Sequence, residues 1–319
     1  MHYKHIITGS LIIPVALLSA CSKQLSNNDT TFTVTAQQAT VKAGDTVRFD
    51  FSGSPDMITF YSGEVGKRFN YRGRSSADGT PVLRFRSLRA NGSQSNSLAV
   101  MVSGDFQGIA VGDTATTISR IGAATWSDIT SRATLSTGTV ISSGNIDLSD
   151  FTGANKPVYV AFRYSAQIGS VQNKWTIDSF TIKNVLSDGT SYEIANHNAY
   201  NTVYTNYGVS TYSPGFVNYR VRNIYNWIIS NTSLVITGAD SAPWATDTAE
   251  GWAIIGPIDL KKVTPDVGTV IKIVSQNIGD VKFSYRYTKA GTYEATFYGG
   301  RVSMDEDQRD TKSITITVN

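Results

Sequence analysis

The chain is poor in the residues that carry most chemistry. Of its 319 residues one is cysteine, Cys21, and three are histidine, of which only His197 lies beyond residue 20. A single cysteine excludes an intrachain disulfide. A single distal histidine with no second thiol excludes a zinc set built from His and Cys. No G-x-S-x-G elbow occurs, so a Ser-His-Asp nucleophile of that form has nothing to be built on. His197 itself sits in Ala-Asn-His-Asn-Ala, a polar context that predicts an ordinary exposed side chain. The 25 acidic residues leave a carboxylate pair for glycoside hydrolysis open without marking any two of them. The reading is a non-enzyme. Excess charge is scarce too: 28 basic against 25 acidic side chains give a net of +3, which points to no strongly charged partner overall.

Long apolar runs are limited to one. Residues 6–18 are almost uninterruptedly apolar, follow a short segment carrying Lys4, and give way to Ser19-Ala20. Such a run is too short to span a bilayer stably and has the flanks of a secretory signal, so 1–20 is read as a signal peptide. Leu18-Ser19-Ala20-Cys21 resembles a bacterial lipobox. That resemblance implies a lipid on the Cys21 sulfur and a membrane anchor through that lipid alone. The alternative is an ordinary signal peptide followed by a chance cysteine. Residues 21–30 then form a lipidated, polar tether. Surface-exposed lipoproteins of the Bacteroidetes often carry an acidic cluster after the cysteine, of which only Asp29 is present here.

What is abundant is β-texture. Val47, Phe49 and Phe51 alternate with polar residues over one strand, and Met57 to Tyr61 starts another. The stretch 41–66 looks like the opening half of an immunoglobulin-like domain of the polycystic-kidney-disease (PKD) type. The strands that should close such a domain stand far downstream. They are Phe283-Ser284-Tyr285-Arg286-Tyr287, the Gly291-Thr292-Tyr293-Glu294-Ala295-Thr296-Phe297 strand, and a last one in which Ile314, Ile316 and Val318 alternate. Tyr293 opens its strand where a tyrosine corner would sit. The expectation is one split sandwich, 31–73 plus 262–319. The rival is two degenerate domains, one at each end. The intervening 74–261 is β throughout: Leu83 and Phe85 alternate with arginines, Leu98, Val100 and Val102 line another strand, and 158–164 (VYVAFRY) is apolar on both faces, which predicts a central strand between two layers. In 174–183 (KWTIDSFTIK) the apolar phase slips between Ile177 and Phe180, which predicts a bulge at Asp178-Ser179. Residues 143–178 resemble the jelly-roll sandwiches of secreted adhesins and carbohydrate-binding modules. The fold class is therefore all-β, an Ig/PKD-like sandwich interrupted by a larger jelly-roll-like one.

Taken together, the lipobox, the PKD-like ends and a jelly-roll middle containing WAIIGPID (252–259) look like a family of Bacteroidetes outer-membrane lipoproteins that accompany SusC/SusD-type nutrient importers. The resemblance implies capture of a glycan or oligopeptide for the uptake complex. The alternative is a structural accessory that packs on the importer without touching nutrient. The resemblance also implies an outer-membrane, lipid-anchored protein at the cell surface, and the export signal argues against a nucleic-acid partner. The ligand contacts are sought in 192–227, which holds nine aromatics and three charges. Phe216, Tyr219, Tyr225 and Trp227 are assigned mainly to the core, in or beside apolar strands at 217–221 and 224–229. Tyr200, Tyr204, Tyr207 and Tyr212, set among Asn, Thr, Ser and Gly, are read as an exposed loop suited to stacking on sugar rings or gripping a peptide. No cofactor is expected. Calcium is the one metal the composition allows, with Asp305, Glu306, Asp307 and Asp310, or Asp147, Asp178 and Asp259, as candidate oxygens. Seven basic residues in 67–89 (Lys67, Arg68, Arg72, Arg74, Arg84, Arg86, Arg89) are read as solvated faces, with an acidic ligand, a lipid headgroup or a partner protein as the alternatives.

Overall fold

A computed structural model describes residues 32–153, 156–197, 203–302 and 307–319. The expected signal peptide and tether, with Cys21, lie outside these residues. The chain is all-β, with a single α-helix among the described residues.

Its two ends weave one sandwich. One sheet has the order Phe32–Ala36, Thr46–Gly53, Phe283–Arg286; the other runs Thr269–Lys272, Met57–Tyr61, Gly291–Val302, Asp307–Val318, Thr40–Val41. Val47 lies opposite Tyr285, and Phe60 opposite Phe297, so strands more than 200 residues apart share ladders. The period-2 residues Val47 and Phe49 are buried in one cluster with Ile58, Phe60, Ala295, Phe297 and Ile316. Phe297 touches Phe49 and Phe60 with ring centroids 5.0 Å away in each case. The Tyr293 hydroxyl donates to the carbonyl of Lys289, four residues upstream (2.9 Å), as a tyrosine corner does.

The middle of the chain builds the larger sandwich. A five-stranded sheet has the order Phe216–Arg222, Ala249–Ile258, Val158–Ala166, Leu98–Ser103, Ser127–Asp128. It faces a sheet built on Ser233–Thr237, Lys174–Val185 and Thr80–Ala90, with shorter strands at its edges. Val158–Ala166 is the central strand. Phe162 and Tyr164 enter the core between the sheets, while Ala161 packs on the opposite face under a second apolar cluster. The phase slip in Lys174–Val185 is a bulge: its register against Thr80–Ala90 shifts between Asp178 and Thr181, and Ser179 has φ 52°. The extra residue returns Phe180 and Ile182 to the face of Trp175 and Ile177, and all four are buried together.

The basic run does not form one face. Arg68 donates through Nε and its backbone N–H to Asp266 Oδ2 (3.1 and 2.9 Å), tying the segment that leaves the smaller sandwich to the one that returns to it, and its Nη1 reaches Asp188 of the larger one (3.5 Å). Arg74 donates to the Tyr192 hydroxyl (2.9 Å) and stacks 3.8 Å above the Tyr71 ring, and Arg72 stacks 3.8 Å from Phe69. Arg86 pairs with Asp178 (2.6 Å) and Arg89 donates to the Thr137 carbonyl (2.9 Å). Most of these cations are thus spent on holding strands and loops together.

Candidate functional site

The outer face of the five-stranded sheet is apolar because it is partly covered. Residues 104–126 cross it, and their middle is the helix Thr114–Ala123. Asp113 caps that helix by accepting the Thr116 N–H (2.9 Å), and Thr117 and Ile121 are its buried positions. Phe106 and Trp126 flank the helix. Phe106 meets Tyr159 edge-on (4.9 Å between centroids), and Trp126 meets Trp252 (4.9 Å). Both indoles are pinned by their N–H groups: Trp126 Nε1 donates to the Ile121 carbonyl (3.0 Å), and Trp252 Nε1 to Glu250 Oε1 (2.7 Å).

Beyond the helix the cover stops, and a cleft of about 480 Å³ opens, with Met101, Ile118, Ile121, Trp126, Arg163, Val221, Glu250 and Trp252 among its lining residues. That volume lies within the range of small-ligand sites, ~300–1,000 Å³. Arg163 and Glu250 stand on adjacent strands, and neither has an ion pair among the described residues. Arg163 Nε is buried without a hydrogen-bond partner, and its guanidinium lies 5.9 Å from the Trp252 ring centroid. The cleft thus sets a cation and a carboxylate, both with unused hydrogen-bonding capacity, against aromatic and aliphatic walls. It can grip a ring by its face and its hydroxyl, amide or charged groups by their edges. Nothing in 104–126 was singled out by the sequence; the two-faced apolar run at 158–164 is the signal that some second layer had to cover this sheet.

The tyrosine segment is organised differently from the sequence expectation. Tyr200 lies outside the described residues. Val203–Asn206 and Val209–Tyr212 form a hairpin, not an open loop. Tyr204 is 4% exposed and its hydroxyl donates to the Ile194 carbonyl (3.1 Å), so its ring offers no stacking face. Tyr207, at the turn with φ 50°, is 39% exposed; its hydroxyl donates to the Ser191 carbonyl (3.1 Å) and its ring meets Tyr192 edge-on. Its side chain also fills the space that Gly66 leaves, where an added Cβ would stand 2.2 Å from Tyr207 Cβ. Of the described three, Tyr212 is the most open, at 69%. The hairpin is a brace between the two sandwiches, and the described tyrosines do not share one face. Downstream, Phe216 and Trp227 are buried as expected, but Ile224 is exposed and the second strand shrinks to Ile228–Ile229.

His197 is a second correction. It is 6% exposed, edge-on to Phe216 (5.2 Å), and burial holds its imidazole below its usual pKa. It lines a separate polar hollow of about 420 Å³ with Arg86, Asp178 and Ser179 on the outer face of the other sheet. Among the described residues no hydrogen bond joins its side chain to Asp178 or Ser179, and Asp178 is taken by Arg86. For calcium, no group of three or more acidic, His or Cys side chains converges among the described residues. Asp310 pairs with Lys312 (3.0 Å), whereas Asp305 and Glu306, and the side chain of Asp307, lie outside the description.

Residues 20–201 match the family described as "Domain of unknown function (DUF5017)", more than half of the 319-residue chain. Searches of curated proteins and of solved structures gave no match. On the extent of that first match, the chain belongs to the DUF5017 family.

Proposed function

We propose that the protein is a non-catalytic, outer-membrane lipoprotein, anchored at the cell surface through Cys21, that captures a glycan or oligopeptide for a SusC/SusD-type uptake complex. The observation that carries the ligand-binding part is the cleft beside Trp126 and Trp252, where Arg163 and Glu250 lack ionic partners. The lipobox register carries the anchor, and the resemblance of the whole chain carries the importer. Supporting a binding rather than a catalytic role, the one histidine beyond residue 20 is buried and its Nε2 has no hydrogen-bond partner among the described residues.

Two experiments test this reading. Intact mass of membrane-extracted protein should show a chain starting at Cys21 with added acyl mass; a soluble unmodified form contradicts the anchor. Calorimetry with soluble oligosaccharides and tripeptides should give saturable heat for at least one, and the native protein should copurify with an importer. The accessory reading has one observation in its favour: Val221, Ile224 and Ile228 are exposed apolar side chains close together in sequence. Copurification with an importer, with no heat from any ligand, would select it.

A further inference from the structure

A second feature lies at the end of the larger sandwich away from its junction with the smaller one. Thr80–Ala90 starts beside the Ser76–Lys262 bridge that joins the sandwiches, and ends at the loop 91–97. Its antiparallel neighbour begins there, with Lys174 opposite Ala90, so the loop 167–173 lies at the same end. The loop 238–248 joins them, since Gly169 N–H donates to the Ala245 carbonyl (3.0 Å). The chain enters the smaller sandwich at its other extremity. Phe32 packs at Gly299, beside the first residues of Met57–Tyr61, and that strand runs from there toward the junction.

These three loops are locked from within. Gln172 and Asn173 are fully buried and spend their side chains on backbone. Asn173 Nδ2 donates to the Gln94 carbonyl (2.6 Å) and its Oδ1 accepts the Gln94 N–H (3.2 Å). Gln172 Nε2 donates to the Asp247 carbonyl (3.0 Å), and its Oε1 accepts the Ala239 N–H (2.9 Å). Fully satisfied buried amides of this kind fix loop geometry. On this frame stand two large apolar side chains that take no part in it: Trp244, 75% exposed, and Ile168, 59% exposed.

We propose that Trp244, with Ile168 on the loop tied to it through Gly169 and Ala245, is a carbohydrate-stacking surface separate from the cleft and independent of what the cleft binds. The choice of ligand follows from size and surroundings. Two side chains among exposed polar residues make too small a patch for a protein partner, which needs ~800 Å² per side. Asp240, exposed in the same loop, would repel an anionic lipid surface, while the exposed Asp247 is paired with Arg222 at 3.9 Å and leaves no net positive charge to attract one. An open indole in a loop that also carries Asp240, Ser241, Thr246 and Asp247 instead matches a pyranose ring, whose C–H face stacks while its hydroxyls bond polar groups nearby. Because the loops are already ordered, little entropy is lost on contact.

The test is affinity electrophoresis of the full-length protein through gels containing amylopectin, xyloglucan or polygalacturonate, comparing wild type with Trp244→Ala and Trp244→Tyr. Wild type is expected to be retarded by at least one polysaccharide. Trp244→Ala should lose roughly tenfold or more in affinity at an unchanged thermal midpoint, with Trp244→Tyr recovering most of it. No retardation of wild type by any of the three, or undiminished retardation of Trp244→Ala, overturns the proposal and leaves the reading of the cleft untouched. Sedimentation with phosphatidylglycerol vesicles that is lost in Trp244→Ala would assign the tip to a membrane, which also overturns it.

Discussion

Replacing Phe297 by alanine should loosen a strand that lies some 250 residues earlier in the chain. Phe297 is fully buried, and its ring meets Phe49, Phe51 and Phe60 at 5.0, 5.4 and 5.0 Å. A buried Phe→Ala change costs ~3–5 kcal/mol, and the edge-on aromatic pairs place this site toward the upper part of that range. About 4 kcal/mol is a loss of roughly a thousandfold in the equilibrium that protects amides, at ~1.4 kcal/mol per factor of ten. Since domains of this size have only ~5–15 kcal/mol in all, the smaller sandwich should remain folded but open far more often. Hydrogen exchange read by mass spectrometry should show protection falling together in Thr46–Gly53, Phe283–Arg286 and Gly291–Val302, with Val158–Ala166 in the other core much less affected. Phe297→Leu, close in volume, should cost less than ~1.5 kcal/mol and restore the pattern if the alanine variant does not fold. Protection lost in the C-terminal strands while Thr46–Gly53 stays unchanged would refute the shared core.

Other consequences follow from individual contacts. Tyr204→Phe removes one buried hydrogen bond and should cost about 1 kcal/mol, whereas Tyr204→Ala should cost ~3 kcal/mol; denaturant melts that leave Tyr204→Ala at wild-type stability would show the ring to be surface-bound after all. Asp266→Asn removes the buried anion of Arg68, leaving only the half-exposed Asp188 at 3.5 Å, and should destabilise by ~1–3 kcal/mol, read as a lower urea midpoint; a change under a few tenths would rule out that clamp. His197 has its folded pKa pushed below the ordinary 6.5 by burial, so the unfolded chain takes up the proton first on acidification. Its contribution is complete above pH 6.5 and is lost as the pH falls through the depressed folded value, and His197→Gln should flatten that acid limb of the urea midpoint. Parallel pH profiles for the two proteins would contradict it.

Much of the scaffold was readable because strand alternation is a local signal. Val47, Phe49, Ala295 and Phe297 repeat at period two, and each of those residues is in the core. The phase slip at Asp178-Ser179 was readable for the same reason: a strand cannot change its buried face without an extra residue. The cleft was not readable. It exists only because a ten-residue helix and its flanks cross a sheet face and stop short, and where a crossing segment stops is set by tertiary packing. Tyr204 and His197 misled for a related reason. Each is a buried side chain in a polar neighbourhood: Tyr204 lies in a short hairpin strand that buries only alternate residues, and His197 follows the buried end of Ser191–Asn196. Exposure of an aromatic among Asn, Thr and Ser is therefore a poor inference when the segment can fold into a hairpin against a neighbour. Trp244 shows the converse, a tryptophan that remains open although its loop is fixed by the buried Gln172 amide.

The most direct test of ligand capture is calorimetric titration of wild type, Trp126→Ala and Arg163→Gln with whichever soluble oligosaccharide or tripeptide gives heat with wild type. Trp126 closes one wall of the cleft and Arg163 supplies its unpaired cation. Truncating a contact of either kind should cost ~1–2 kcal/mol or more, about five- to thirtyfold in Kd, with the far-UV spectrum unchanged. Affinity undiminished in both variants would place the ligand elsewhere on the molecule and contradict the cleft as its site.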